Sequence, residues 1–317
     1  MSERQKTVAL IGARGHVGAE LMRLLFAHRG FDLVLVSSRE YAGEAVARHV
    51  AGAPDGLHFE AATAAQVAER EPDACILALP NGLADAWVGE IAARRPQTVI
   101  VDVSADYRFD LGWHYGLPEL RPTPPGTTRI ANPGCYATAM QLAIAPVAGI
   151  IASPPHCFGV SGYSGAGTTP SPRNDPARLQ DNLMPYQPTG HLHEREVSFQ
   201  LPTAVRFTPH VAAFFRGISM TVGMELDGSY ELAAIVQKYE EAYAGAPLLR
   251  VSTAIPEVAA NAGHHHACVG GFQLDAAGRY LVAFATLDNL LKGAATQALQ
   301  NLNLTCGYAE LEGIPHA

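Results

Sequence analysis

The sequence has neither a long apolar run nor a concentration of basic residues, and each absence excludes a class of partner. Its longest apolar stretches, such as residues 143–152, fall far short of the ~20 residues that span a membrane. Lys and Arg number 22 against 30 Asp and Glu, which gives a net charge of -8. Because a nucleic-acid backbone attracts clustered positive charge, such a chain is a poor binder of DNA or RNA. The sequence therefore predicts a partner that is neither a membrane nor a nucleic acid.

Cysteine is scarce as well, since the 317 residues contain five, an odd number without a CxxC pair. This usage is typical of a reduced, cytoplasmic protein, and the polar N-terminus lacks the apolar segment of a secretory leader. Residues 264–266 are three consecutive histidines, which on a strand would alternate between its faces and chelate a metal poorly. We expect a polar loop there and no metal site.

The first half of the chain alternates short apolar runs with helical patterns. Runs rich in Leu and β-branched residues predict strands, and apolar residues at helical spacing predict helices between them. The predicted strands are residues 6–11, 32–37, 74–79 and 98–103, and the predicted helices are 16–28 and 84–95. This alternation is typical of βαβ units, so we expect an α/β domain of the Rossmann type with a doubly wound parallel sheet.

After about residue 149 the pattern changes, beginning with a Gly/Ser/Pro-rich passage at 159–176 that shows no periodicity. The elements predicted beyond it are a strand at 218–226, a helix at 230–243, hairpin strands at 268–274 and 280–287, and a last helix at 288–303. Strands joined by hairpins indicate a mixed or antiparallel sheet, hence an α+β domain. We assign residues 1–146 plus 289–317 to a nucleotide domain and 147–288 to substrate binding and oligomerisation.

A glycine-rich turn, GxxGxxG, joins the first strand to the first helix. Glycines permit a tight turn, and the helix N-terminus beyond them carries a partial positive charge that attracts a pyrophosphate. A place between strand and helix is what a dinucleotide site requires, whereas the alternative is a βα turn without a ligand. The predicted contacts are Gly12, Arg14, Gly15, His16, Val17 and Gly18.

The end of the second strand favours NADP over NAD. An NAD site usually places Asp or Glu there to accept from the ribose 2′-hydroxyl, but this chain has Ser37, Ser38 and Arg39. An arginine can form paired, charge-assisted bonds to a 2′-phosphate. Glu40 would repel that phosphate, although one position later it should point away; the alternative for Arg39 is a solvated loop charge.

Cys135 is the candidate nucleophile because it follows Asn132-Pro-Gly and opens a buried helical pattern over 136–147. A thiol at a helix N-terminus has a lowered pKa, so thiolate is available near neutral pH. A lone cysteine is more often a small core residue, and spacing alone leaves that alternative open. Cys75, Cys157 and Cys268 lie in strand-like runs and are expected to be structural.

A nucleotide fold together with an activated cysteine indicates hydride transfer through a thioester. The thiol attacks an activated acyl group, the leaving group departs, and NADPH reduces the thioester to an aldehyde. The segment from His191 to Glu196 offers a proton donor and acceptor. His191 and His193 point the same way if the segment is extended, while His193 and Glu196 share a face if it is helical. An exposed polar turn is the alternative.

Motifs along nearly the whole chain resemble one family, the N-acetyl-γ-glutamyl-phosphate reductases of arginine biosynthesis. Besides the glycine turn, the matching segments are residues 78–82 (ALPNG), 102–108 (DVSADYR), 115–119 (YGLPE), 132–138 (NPGCYAT), 160–167 (VSGYSGAG), 191–193 (HLH), 207–210 (FTPH), 216–217 (RG) and 288–295 (DNLLKGAA). The resemblance implies NADPH-dependent reduction of N-acetyl-γ-glutamyl phosphate to N-acetylglutamate 5-semialdehyde and phosphate, with a small-molecule substrate and a homo-oligomer, dimer or tetramer.

The resemblance also implies roles for particular residues. Cys135 would carry the acyl group, His193 or His191 would be the acid/base, and Glu196 would orient the histidine. Gly293 and Ala294 would permit close packing under the cofactor. Further cofactor contacts would be Pro80, Asn81, Ser161, Gly162 and Asn289, with the loop 161–167 acting as a backbone nest for an anion. Substrate contacts would be Ser104, Arg108, Asn132, Ser164, Gly165, His210 and Arg216.

Three other activities stay open at the level of sequence. A reductase of lysine biosynthesis that acts on carrier-linked aminoadipyl or glutamyl phosphate would use the same cysteine and cofactor, but the net charge of -8 gives no support for docking an acidic carrier. Aspartate-semialdehyde dehydrogenase is a remoter relative. A non-catalytic NADP-binding regulator would have no physical need for a thiol at a helix start.

Overall fold

A computed structural model describes residues 4–316, so the expected absence of a leader at the extreme N-terminus lies outside the described residues. The described chain forms two compact units. The first unit comprises the residues up to Pro133 together with Ala294–Pro315, and the second unit is Gly134–Gly293. Within the described range, no helix is long and apolar enough to cross a membrane.

The strands and helices follow one another along the whole described range. The strands are β1 Lys6–Ile11, β2 Phe31–Ser37, β3 Phe59–Glu60, β4 Ala74–Leu77, β5 Val99–Asp102, β6 His114–Tyr115, β7 Arg129–Ala131, β8 His156–Gly162, β9 Leu183–Pro185, β10 Arg206–Ala212, β11 Ile218–Glu225, β12 Leu249–Ser252, β13 Ala267–Leu274 and β14 Tyr280–Leu287. The helices are α1 His16–Ala27, α2 Ala64–Glu69, α3 Ala84–Arg94, α4 Cys135–Ile144, α5 Pro176–Leu179, α6 Leu192–Gln200, α7 Leu232–Ala242, α8 Val258–Asn261 and α9 Thr296–Cys306.

The first unit is built on a parallel sheet of seven strands in the order β3-β2-β1-β4-β5-β7-β6. Residues Val8 to Ile11 of β1 are all buried, which requires helices on both faces of the sheet. Helices α2 and α3 contact each other, and α1 and α9 contact β2 and β5 respectively. The predicted Rossmann-type doubly wound domain is confirmed.

The second unit is built on a mixed sheet of seven strands in the order β12-β13-β14-β11-β8-β10-β9. Strands β11, β13 and β14 pair antiparallel, whereas β8 and β10 pair in parallel. Helix α4 contacts β11, β14 and α6, so the apolar run that begins at Cys135 lies against this sheet. The predicted mixed sheet is confirmed.

The division between the units differs from the predicted limits 1–146 plus 289–317 at both boundaries, because residues 134–146, which include α4, and residues 289–293 belong to the second unit. The change of pattern near residue 149 follows the end of this helix, whereas the structural division at Gly134 precedes it. Helix α4 belongs to the second unit because its side chains are buried against that unit's sheet, with Tyr136 to Ile144 all buried.

Two predicted segments differ from the structure for local reasons. The predicted last helix at 288–303 starts only with a π-type turn at Leu291–Ala295, followed by α9, because the Asp288 carboxylate accepts the N–H groups of the next turn. The passage at 159–176 begins inside β8, whose Gly159 packs beneath Tyr136 and Phe207 and so lacks an apolar side chain to show a strand pattern.

Candidate active site

The turn after β1 has the geometry that a bound dinucleotide requires. Gly12 has a φ of 81°, and a Cβ at this residue would clash with the backbone oxygen of Ala78, so only glycine fits. The N–H of Ala13 donates to the carbonyl of Ser37 at 3.0 Å, which joins the turn to the end of β2. Gly15 caps α1, and a side chain there would meet open space. A pyrophosphate can therefore reach the first turn of α1, residues 16–18.

The end of β2 fits the 2′-phosphate of NADP. Ser37 and Ser38 are buried, while Arg39 is exposed and has no hydrogen-bond or ion-pair partner in the described part of the chain. Glu40, whose charge would oppose a phosphate, forms an ion pair with Arg14 from the glycine turn. Because that pair compensates the carboxylate, the guanidinium of Arg39 stays available to an anion.

Pro80 and Asn81 lie just beyond the carboxyl end of β4, where open α/β sheets bind ligands. Both are exposed. The Asn81 Oδ1 atom accepts the N–H of Ala105 at 3.0 Å, so this side chain also holds the loop that follows β5.

Three predicted substrate ligands make hydrogen bonds within the first unit. The Ser104 hydroxyl donates to the Asp102 carboxylate at 2.8 Å. Arg108 is 6% exposed, and its Nε donates to the carbonyl of Asn132 at 2.9 Å. The Asn132 side chain is fully buried and accepts from Asn301 at 3.1 Å. These polar groups hold the loops of the unit together, and their contact with substrate stays a prediction.

Cys135 is the first residue of α4 and is partly exposed, with Gly134 at the helix cap. The partial positive charge of a helix N-terminus stabilises a thiolate at this position. The other thiols differ from it, because burial raises the pKa of Cys75, Cys157, Cys268 and Cys306. Cys135 therefore combines a partly exposed thiol with a position at a helix N-terminus.

The histidine segment is helical, with His191 as the cap of α6. The Nδ1 atom of His191 accepts the N–H of His193 at 3.1 Å. The ring of His193 lies 5.9 Å from that of Tyr136 in the first turn of α4. Glu196 is fully buried, and its Oε1 accepts the N–H of Gly134 at 2.9 Å. Glu196 therefore holds the cap of the nucleophile's helix, a contact that the sequence did not indicate.

His191 is neutral at pH 7. Burial, reinforced by the charge of Arg173, lowers the pKa of His191 to about 4. Its Nδ1 can then serve as the hydrogen-bond acceptor that caps α6, but the ring is a poor proton donor near neutrality. Of the two histidines, the structure favours His193 as the group that exchanges a proton.

The free energy of unfolding is expected to fall as the pH decreases from about 6.5 to about 4, because the unfolded His191 takes up a proton in this window and the folded residue does not. In His191→Asn the amide oxygen still caps α6 but does not titrate, so the variant should lose about 2 kcal/mol less between pH 7 and pH 4.5. Urea unfolding of both proteins at the two pH values measures this.

His266 supplies the internal control for that experiment. Burial lowers its pKa to about 4 as well, so His191→Asn should keep part of the native pH dependence and His266→Asn should remove a separate part. Equal losses of stability in the native chain and His191→Asn would contradict the prediction.

In the loop 161–167, where an anion nest is predicted, several backbone N–H groups already have hydrogen-bond partners. Three of its N–H groups are already paired: those of Gly162, Tyr163 and Ser164 donate to the carbonyls of Gly217, Phe214 and Phe215 at 2.9, 3.0 and 3.0 Å. The Ser161 hydroxyl donates to the carbonyl of Gly162 at 2.9 Å. Gly165 lies beside the Ser161 hydroxyl. These three N–H groups cannot converge on a ligand because they are already donated, and the anion nest over 161–167 stays a prediction.

Asn289 and Arg216 are joined to the same part of the second unit. The Asn289 side chain, for which a cofactor contact is predicted, is 3% exposed, accepts the N–H of Gly217 at 2.7 Å and donates to Ser164 Oγ at 2.9 Å. The Nε atom of Arg216 lies 3.2 Å from a carboxylate oxygen of the fully buried Asp288, while 22% of the Arg216 side chain is exposed. Arg216 is therefore held in place with part of its side chain exposed.

The ring of His210 lies on the opposite face of the sheet from the site. Along β10 the side chains alternate, and Phe207 contacts Tyr136 on the helix-covered face, so His210 points to the other face. There its ring packs on Phe158, with centroids 4.3 Å apart. Only the backbone of His210 reaches the site, since its carbonyl accepts the Tyr136 hydroxyl at 2.6 Å. The structure therefore gives no support to a substrate contact through this ring, which stays a prediction.

Arg173 and Tyr186 lie next to the histidine segment, and the sequence did not indicate either of them. The Arg173 guanidinium lies 4.9 Å from the centre of the Tyr186 ring, and that ring lies 5.7 Å from the ring of His191. Arg173 is exposed. A tight turn presents it, in which the Asn174 side chain accepts the N–H of Ser171 at 2.7 Å. The only sequence signal was an arginine in an aperiodic, Gly/Ser/Pro-rich passage.

Two family models match the chain, one on each side of residue 130. Residues 7–124 match a model described as the semialdehyde dehydrogenase NAD binding domain. Residues 135–289 match one described as the semialdehyde dehydrogenase dimerisation domain. The second match begins at Cys135, the residue at which α4 begins.

Curated relatives match over the full length. The chain is 55% identical over 315 residues to N-acetyl-gamma-glutamyl-phosphate reductase of Xanthomonas campestris, covering 99% of this chain and 100% of that protein. It is 55% identical over 317 residues to the reductase of that name from Stenotrophomonas maltophilia, covering 100% of each. For the Xylella fastidiosa protein of the same name, identity is 53%, covering 100% of this chain and 97% of that protein.

Solved structures of lower identity show the same fold. Aspartate semialdehyde dehydrogenase II from Vibrio cholerae matches with a TM-score of 0.76 at 19% identity, covering 95% of this chain and 98% of that one. The Candida albicans aspartate semialdehyde dehydrogenase, solved with NADP, matches with a TM-score of 0.70 at 13% identity, covering 95% and 98%. At these identities the likeness concerns the fold alone.

Proposed function

The chain belongs to the N-acetyl-gamma-glutamyl-phosphate reductase family, and from this membership we propose how its own residues reduce N-acetyl-γ-glutamyl phosphate to N-acetylglutamate 5-semialdehyde and phosphate in arginine biosynthesis. It is an NADP-dependent oxidoreductase. The observation that carries the proposal is the placement of Cys135 at the N-terminus of α4, with the ring of His193 against the adjacent Tyr136.

Cys135 is the nucleophile of the proposed reaction. Its thiolate attacks the acyl carbon, so that a C–S bond forms and the C–O bond to phosphate breaks, leaving a thioester on the protein. The N-terminus of α4 stabilises the thiolate both before attack and when it leaves again. When bound, NADPH supplies the hydride that converts the thioester to the aldehyde level.

His193 is the proposed proton donor. The departing phosphate gains negative charge as the C–O bond breaks, and a proton from the imidazole neutralises it. His191 contributes by position, because its neutral ring accepts the His193 N–H and so fixes the start of α6. Glu196 acts on the nucleophile's side, through its bond to the N–H of Gly134.

Arg216 and Arg173 are the proposed contacts for the anionic ends of the substrate. N-acetyl-γ-glutamyl phosphate carries a carboxylate and a phosphate, and arginine matches both groups with paired hydrogen bonds. Asp288 orients the Arg216 guanidinium from its Nε edge, and 22% of the Arg216 side chain is exposed. Arg173 rests on the ring of Tyr186, which limits the freedom it loses on binding.

NADP binding is proposed to rest on the first unit. The glycine turn and the N-terminus of α1 take the pyrophosphate, and Arg39 takes the 2′-phosphate. The ion pair of Glu40 with Arg14 supports this assignment, because it compensates the one carboxylate next to Arg39. A cytoplasmic location is part of the proposal and rests on the five free thiols.

A homo-oligomer is proposed through the uncovered face of the second unit's sheet. The matched model for this region is a dimerisation domain. Phe284, Thr221 and Phe158 stand in one row across β14, β11 and β8, and Phe158 is 43% exposed. Covering this row with a second copy of the chain would bury apolar surface and so stabilise an oligomer. A sedimentation measurement of the purified chain would detect a dimer or tetramer.

The experiment that tests the function is phosphate-dependent reduction of NADP, followed at 340 nm, with N-acetylglutamate semialdehyde as substrate. Turnover should require phosphate and should exceed that with aspartate semialdehyde, which lacks the acetamido group. Preference for aspartate semialdehyde would overturn the substrate assignment. A folded, NADPH-binding chain with no turnover on either aldehyde would favour a carrier-linked substrate or a regulatory role.

A further inference from the structure

Asp288 organises the turn that follows β14. Its carboxylate is fully buried, and one oxygen accepts the N–H groups of Leu290 and Leu291 at 2.8 and 3.1 Å. The other oxygen accepts the N–H of Gly263 at 2.7 Å and lies 3.2 Å from Nε of Arg216. Because these groups come from three separate segments, the carboxylate fixes the turn against its surroundings.

The backbone of Asp288 closes the same turn. Its carbonyl accepts the N–H of Gly293, five residues further on, at 2.9 Å. This is the hydrogen bond of a π-type turn, a rare local geometry that is found mainly at functional sites. Asn289, next in sequence, ties the turn to Gly217 and Ser164 through its amide. Hydrogen bonds of both its side chains and its backbone therefore hold the turn in place.

Gly293 lies directly against Cys135. A Cβ built on Gly293 would stand 2.7 Å from the Cβ of Cys135, 3.1 Å from a methyl carbon of Leu287 and 3.2 Å from the carbonyl oxygen of Asp288. Unbonded carbon atoms prefer a separation of about 3.5–4.0 Å. Any side chain at 293 must therefore displace Cys135 or the turn by about 1 Å.

We propose that Gly293 is a positioning residue for the Cys135 thiol, and that the Asp288 turn holds it there. The inference rests on the proposed function, in which Cys135 is the nucleophile. The absent side chain sets the distance between the turn and the first residue of α4, and with it the direction of the thiol. A displacement of about 1 Å at a reacting group can cost about 100-fold in rate.

The test is Gly293→Ala, measured for kcat, KM, NADPH affinity and the reactivity of Cys135. Alkylation by iodoacetamide across a pH series, quantified on the Cys135 peptide by mass spectrometry, reports the thiol itself, and the Cys268 peptide serves as internal reference. We expect kcat to fall about 100-fold while KM and NADPH affinity change by less than about 3-fold. The pH at the midpoint of the Cys135 alkylation profile should rise, because the displaced thiol loses stabilisation by the helix N-terminus. The midpoint of the Cys268 profile should not change.

The matched control is Gly30→Ala in the first unit. A Cβ there would meet the ring of Tyr308, so the substitution crowds the fold without touching Cys135. We expect a lower melting temperature and a native Cys135 profile. If Gly293→Ala does not fold, Asp288→Asn replaces it, since this change keeps the number of non-hydrogen atoms but weakens the hydrogen bonds of the turn. It should move the same profile in the same direction.

The outcomes separate this proposal from the function on which it rests. A native kcat and alkylation profile in Gly293→Ala would overturn the positioning role, even with Cys135→Ser inactive. Weakened NADPH binding with an unchanged Cys135 profile would also overturn it, and would assign the glycine to cofactor packing. Activity in Cys135→Ser would instead overturn the proposed function.

Discussion

Cys135→Ser should lower kcat by about 10⁴-fold while leaving the fold and NADPH binding intact. A serine hydroxyl is almost entirely protonated near neutral pH, whereas a thiol at the N-terminus of α4 supplies thiolate. Serine is also a poorer leaving group, so any ester that formed would be released slowly. Steady-state turnover at 340 nm and fluorescence titration with NADPH measure the two properties separately.

Cys268→Ser is the control for that prediction. This cysteine belongs to the same unit and is partly exposed, but it lies on β13 and burial raises its pKa. Its variant should keep native turnover. Mixing native chain with the acyl phosphate in the absence of NADPH should add the acyl mass to the Cys135 peptide and to no other. Acylation at another thiol, or turnover by Cys135→Ser, would contradict the assignment.

The overall fold could be predicted because the first unit's strands are buried on both faces. Such strands appear in the sequence as uninterrupted apolar runs, and β1 is predicted at the residues where it is found, Lys6–Ile11. The hairpin strand Tyr280–Leu287 is likewise found where it is predicted. Short strands were missed, such as β3 with two residues, because two residues carry no period.

The site could be predicted only where chemistry depends on residue type. Cys135 and Arg39 stand out because a thiol at a helix start and a guanidinium after β2 have a chemical use there. Ser104 and Asn132 show the limit of this prediction, since a hydroxyl and an amide can equally well bind a ligand or form hydrogen bonds that connect loops. Which role they take depends on long-range neighbours, and a single sequence does not record those.

Contacts between residues that are far apart in the sequence are the second limit on prediction. Nothing in the sequence places Gly293 beside Cys135, because Gly293 lies 158 positions after Cys135 and the contact exists only after the second unit's sheet has formed. The π-type turn has the same origin: its geometry follows from hydrogen bonds to Asp288, not from the apolar spacing that predicts a continuous helix.

Arg39→Asp should reverse the preference between the two nicotinamide cofactors. Two charge-assisted hydrogen bonds from the guanidinium to the 2′-phosphate would be lost. The new carboxylate would repel the phosphate of NADPH and would accept hydrogen bonds from the ribose hydroxyls of NADH. Because Arg39 is exposed, solvent screens part of this effect, and we expect kcat/KM with NADPH to fall about 100-fold, with kcat/KM for NADH rising. The NADPH loss should shrink in high salt.

The matched control is Arg29→Asp, two residues before the start of β2 as Arg39 is two residues beyond its end. It changes the net charge of the chain by the same amount at the opposite end of the strand. A general effect of charge on kcat/KM would therefore appear in both variants, whereas a loss of 2′-phosphate recognition would appear only in Arg39→Asp. An unchanged preference in Arg39→Asp would leave the ion pair of Arg14 with Glu40 as the alternative, because opening that pair would free a second guanidinium from the glycine turn. Glu40→Gln distinguishes the two cases: with Arg39 as the ligand it should improve NADPH affinity only slightly, through the loss of one repelling charge.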